Sequence, residues 1–148
     1  MAESKANIEL FNQTEQSLPL SPSDCEAIVS TIMRHEGCSF DFVEVVYVDE
    51  DEIVRINREH LERAYVTDII SFRYDDEEPD DREGIQGTLF CCAPRISEQA
   101  REFAEPEKKE FQRILIHGLL HLVGYGDQSE EEKHTMTSRE NFYLEHIV

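Results

Sequence analysis

The chain has 148 residues, with 14 Lys and Arg against 33 Asp and Glu, for a formal charge of −19 and 39% apolar residues. That length suits one domain spanning residues 1–148, and eight Phe with five Tyr make the chain too hydrophobic for a disordered acidic tail. The charge excludes nonspecific binding to nucleic acid or anionic membrane, no apolar run approaches the ~20 residues of a membrane span, and Met1 to Leu10 lack a secretory signal pattern. A cytoplasmic protein without a membrane partner is expected.

Ile8 to Phe11 alternates like a short strand, and Leu18 to Pro22 reads as a connection. Ser23 with Glu26 has the spacing of a capping box, Ile28, Val29, Ile32 and Met33 share a helical face, and Gly37 is a helix stop. Phe40 to Val48 is rich in aromatic and β-branched residues and reads as a strand. Acidic Asp49 to Glu52 suits the positive end of a helix dipole, and that helix continues to about Leu61.

Thr67 to Phe72 and Thr88 to Cys92 read as two strands, antiparallel neighbours on either side of an acidic loop from Asp75 to Glu83. A helix is expected from Ser97, broken by Pro106. Glu107 to Leu122 has the strongest helical pattern, with Phe111, Ile114, Leu115, Leu119 and Leu122 on one side, and Glu130 to about His146 makes a polar terminal helix. The order points to an α+β fold, a small mixed sheet packed by helices, one of which carries a zincin-like pair of histidines.

His117 and His121 are four residues apart, so both imidazoles leave one helical face a turn apart and can share one metal ion. Gly124 can take a left-handed conformation that turns the chain back, which brings Asp127 within reach as a third ligand. Three protein ligands leave a fourth tetrahedral position open, the arrangement of a catalytic zinc site. Two buried histidines satisfied by hydrogen bonds are the plainer alternative. Zinc peptidases of the His-Glu-x-x-His type carry their general base where this chain has Gly118, so that chemistry is disfavoured. Gly118 leaves room for a bulky substrate group or for close helix–strand packing. Cys25, Cys38, Cys91 and Cys92 form no Cys-x-x-Cys pair and read as reduced, buried thiols. His134 is a weaker alternative to Asp127, while Ser71 and Thr67 have no acid–base dyad in the sequence around them.

The stretch His117-Gly-Leu-Leu-His-Leu-Val-Gly-Tyr125 resembles the hallmark of the YbeY family, bacterial metal-dependent endoribonucleases of ribosomal RNA processing. Thr67-Asp-Ile-Ile-Ser-Phe72 resembles that family's second motif, and Asn57 stands upstream of it as an asparagine does there. The resemblance implies a single-strand-specific endoribonuclease acting in 16S rRNA 3′-end maturation and ribosome quality control. It further implies one Zn2+ per chain, and ribosomal RNA, the ribosome and assembly proteins as partners. Asp127 falls where the family has a third histidine, and Gly126 where it has an aspartate. The family also carries a phosphate-holding arginine before the Thr-Asp motif, for which Arg63 is the nearest counterpart. The open rivals are a metallohydrolase of another substrate class and a non-catalytic ribosome-assembly factor with a structural zinc. The cations Arg55, Arg58, Arg63 and Arg73, with Lys108, Lys109 and Arg113, are the expected basic face, unless each pairs with a neighbouring acid.

Overall fold

The computed structural model describes residues 7–62, 65–74 and 82–147, so Arg63 and residues 75–81 of the acidic loop lie outside the described residues. In chain order the elements are β1 (Ile8–Asn12), α1 (Pro22–Glu36), β2 (Phe40–Val48), α2 (Glu50–Leu61), β3 (Ile69–Arg73), β4 (Ile85–Cys92), α3 (Ala93–Glu102), α4 (Glu107–Val123) and α5 (Glu130–His146). The expected order holds. Boundaries moved at the strands, with β3 starting at Ile69 and not Thr67 and β4 at Ile85 and not Thr88, and at two helices where prolines decide them. Pro22 in the first turn of α1 has the φ a helix start needs, so the cap is Ser21 with Asp24 in a capping box, not Ser23 with Glu26. Pro94 likewise starts α3 directly after β4, four residues before Ser97.

The sheet order is β1-β2-β4-β3, with β1 and β4 parallel to β2 and β3 antiparallel to β4. This is the expected mixed sheet of an α+β fold. Alternation along central β2 sends Val43, Val45 and Tyr47 into the larger core with α1, α3, α4 and α5, while Val46 and Val48 face α2. Being buried on both faces, β2 reads as the nearly continuous apolar run seen in the sequence.

Helix α4 is the buried spine, with Phe111, Leu115, Ile116, Leu119 and Leu120 fully shielded. Its Gly118 lies against the sheet: a Cβ there would come within 2.5 Å of Ile69 Cδ1 and 3.1 Å of Leu89 Cδ1. Of the two expected reasons for Gly118, helix–strand packing is the one realised. Edge strand β3 therefore runs tight against α4, with Ile70 and Phe72 turned to the α2 side and Arg73 reaching α4, where its Nη1 donates to Leu122 O at 2.9 Å. No helix among the described residues is long and apolar enough to cross a membrane.

Candidate metal centre

The last two turns of α4 carry His117 and His121 on the face that looks along β3. Helix α4 ends at Gly124, whose φ of 127° is open to glycine, and the amides of Gly124 and Tyr125 cap the Leu120 carbonyl. That return delivers Asp127 to the histidines as the sequence spacing predicts. His121 Nε2 lies 3.0 Å from His117 Nε2 and 3.2 Å from Asp127 Oδ2, and His117 Nε2 lies 3.4 Å from the same oxygen. The three side chains are between a fifth and a third exposed.

The outer nitrogens determine what the inner ones offer. His117 Nδ1 is 2.7 Å from Glu140 Oε2 and His121 Nδ1 is 2.9 Å from the Tyr125 carbonyl, and an ionised carboxylate and a carbonyl can only accept. Both Nδ1 atoms therefore carry the proton, and in the neutral rings both Nε2 atoms present lone pairs to each other and to Asp127. Three converging acceptors repel one another unless a cation lies between them. Ligands about 2.1 Å from a tetrahedral zinc are about 3.4 Å apart, close to the spacings here. The donor set fits a divalent metal, and His117, His121 and Asp127 are the group among the described residues that could hold one. Burial disfavours the His117 imidazolium, but the hydrogen bond and charge of Glu140, with Asp68 and Asp127, outweigh it and lift the pKa above its ordinary value.

The three side chains open onto a pocket of about 450 Å³ whose other walls include Thr67, Asp68, Ser71 and Arg73 from the β3 region. The Thr-Asp motif and the histidine helix, about fifty residues apart in sequence, thus form opposite walls of one site. Asn57 is fully buried and its Nδ2 donates to Tyr65 O at 3.0 Å, which anchors the chain between α2 and β3. Ser71 Oγ is buried with no hydrogen-bond partner among the described residues.

The expected basic face is largely spent on pairing. Arg55 is clamped by Glu52 and Glu59, Lys108 meets Asp24, Lys109 meets Glu105, and Arg113 bonds Glu140. Among the described residues Arg73 is the cation that lines the pocket. His134 is exposed and outside the cluster. All four cysteines are free and buried, and burial pushes the Cys25 thiol up to about 12. Sequence reasoning missed Glu140. Its signal was present, since Met136, Glu140, Tyr143 and Leu144 form the buried stripe of α5 and a carboxylate on such a stripe needs a partner.

A family model described as Endoribonuclease YbeY matches residues 9–148. Relatives named Endoribonuclease YbeY include one from Chlorobium limicola, 36% identical over 137 residues, covering 93% of this chain and 90% of its own. Another, from Chlorobium phaeobacteroides, is 35% identical over 141 residues, covering 95% of this chain and 97% of its own. The solution structure of TM1509 from Thermotoga maritima shares the fold, with a TM-score of 0.63 and 24% identity, covering 95% of this chain and 88% of that one. With the histidine helix and the Thr-Asp strand facing each other as their motifs require, this chain belongs to the YbeY endoribonuclease family.

Proposed function

We propose that this protein is a metal-dependent endoribonuclease that cleaves single-stranded ribosomal RNA in 16S 3′-end maturation and ribosome quality control. In this reading it works in the cytoplasm, with the ribosome and assembly proteins as partners. Family membership supports the endoribonuclease activity. The observation that carries the site assignment is the meeting of two histidine lone pairs and a carboxylate at the wall of an open pocket.

Phosphodiester cleavage needs charge neutralised on a phosphoryl oxygen and a proton taken from the attacking group. A bound zinc supplies Lewis-acid polarisation of that oxygen and acidifies water. The chain's own residues do the rest. His117, His121 and Asp127 would hold the ion, Arg73 offers a delocalised cation to the phosphate, and Asp68, a carboxylate lining the same pocket, is proposed to accept the proton. Arg63 is proposed as a second phosphate contact, since Leu61 and Thr67, which bracket it in sequence, both line the pocket. A purely structural metal is less well supported, because such zinc sites are closed by four protein ligands and three converge here on an open pocket.

The test is metal analysis together with cleavage of a single-stranded RNA. Purified protein is expected to carry close to one zinc per chain and to cut the RNA, while His121→Ala and Asp127→Ala lose both. Full metal occupancy in His121→Ala would remove the assigned centre, and a metal-loaded protein that leaves RNA intact would remove the activity.

A further inference from the structure

Arg113 and His117 stand one turn apart on α4, and Glu140 reaches between them from α5. Its Oε2 accepts from His117 Nδ1 at 2.7 Å and its Oε1 accepts from Arg113 Nη1 at 3.1 Å. The other arm of Arg113, Nη2, donates to Asn141 Oδ1 at 2.9 Å, one residue along α5. The Glu140 side chain is 8% exposed, so the carboxylate is held out of water with both oxygens used.

We propose that Glu140 is the positioning residue of the metal centre, with Arg113 as the counter-ion that orients it, so that α5 forms the outer half of the His117 site. This rests on the reading of His117 as a metal ligand. A neutral imidazole has two tautomers, and one of them places a proton on the nitrogen that must bind the ion. Glu140 can only accept, which pins the proton on Nδ1 and leaves the Nε2 lone pair free, and its negative charge makes that lone pair a stronger donor. Packing alone does not account for this carboxylate. Its neighbours on the buried stripe are Met136, Tyr143 and Leu144, and an apolar side chain would fill the same position without a charge to bury. The two ligand histidines are held differently. His121 is oriented by a neutral carbonyl, so removing the Glu140 charge acts on His117.

The experiment uses the full chain, stripped of metal with a chelator and titrated with cobalt(II), whose visible absorption reports affinity and ligand geometry without any RNA. Zinc affinity is measured in parallel by competition with a chromophoric chelator. Glu140→Gln keeps the shape and loses the charge, and is expected to weaken both metals on the order of 10- to 100-fold while the metal-free protein keeps a cooperative melt. Arg113→Gln should weaken them in the same direction by a smaller factor. Glu110→Gln removes another buried carboxylate of α4, one that bonds Gln99 and feels the charges of Arg113 and Glu140 only through space, and should lose much less affinity than Glu140→Gln. Parent-like affinity and spectrum in Glu140→Gln would overturn the proposal, as would an equal loss in Glu110→Gln. Should Glu140→Gln fail to fold, Arg113→Gln decides, and unchanged affinity there overturns the proposal. A parent protein that takes up no cobalt, or takes it up equally after His121→Ala, would instead remove the metal reading beneath it.

Discussion

Gly118 shows how one missing side chain serves two walls of the site. It adjoins His117 in sequence and faces Ile69 and Leu89 in space, so its lack of a Cβ sets how closely the histidine helix α4 approaches β3 and β4. Glycine inside a helix costs about 1 kcal/mol against alanine, so a surface position would gain from Gly→Ala. Here the added methyl would sit 2.5 Å from Ile69 Cδ1. Gly118→Ala is therefore expected to lower stability by about 1–3 kcal/mol, read from urea unfolding, through overpacking. Adding Ile69→Ala should recover part of that loss, because it removes the atom that clashes. Additive effects of the two changes would show that the contact does not limit the packing.

At the scale of elements, the end of α1 is tied to α5 and to the turn after α4 through Glu36. Its side chain is 4% exposed and accepts from Tyr125 Oη at 2.8 Å, Arg139 Nη2 at 2.8 Å and Tyr143 Oη. Burial pushes this carboxyl up, but the hydrogen bonds from Tyr143, Tyr125 and Arg139 together outweigh it and hold the pKa below the ordinary 4.5. A carboxyl lowered in the folded state contributes stability that is fully present above its unfolded value and is lost as pH falls through the folded one. Glu36→Gln should cost on the order of 3 kcal/mol at neutral pH, since Arg139 loses its charged partner. Between pH 5 and the folded pKa, that gap from the parent should close as pH falls. A gap that stays constant with pH would mean the charge of Glu36 contributes nothing.

For the whole molecule, the charge of −19 opposes both compaction and the approach of RNA. Added salt screens the first repulsion, so the melting temperature of the metal-free protein should rise with salt up to a few hundred millimolar. RNA cleavage should respond in the opposite direction, because the loss of counterion release at direct phosphate contacts as salt increases outweighs the screening of the second repulsion. Arg73→Ala should slow cleavage and flatten that second dependence by about one unit of log–log slope, leaving the salt response of melting unchanged. Arg73→Lys is the control for the structural bond to Leu122 O, since it keeps a cation and a donor. An unaltered slope in Arg73→Ala would place the substrate path elsewhere.

The element order, the histidine pair and the return of Asp127 to meet it were legible in the sequence, because each is a local matter of period, helical spacing or a glycine turn. The limits of α1 and α3 were legible less well, since Pro22 and Pro94 outweigh the polar residues that follow them. What the tertiary structure decided is which distant residues share the site. Nothing local distinguishes Glu140 among 33 acids, or Arg73 among the chain's other cations, until α5 packs on α4 and β3 takes the sheet edge beside it. The sequence by itself determines which side chains can bind a metal. Only the packing of α5 and β3 on α4 determines which group bonds His117 and which cation stands across the pocket, because those contacts join residues more than twenty positions apart through a shared buried surface.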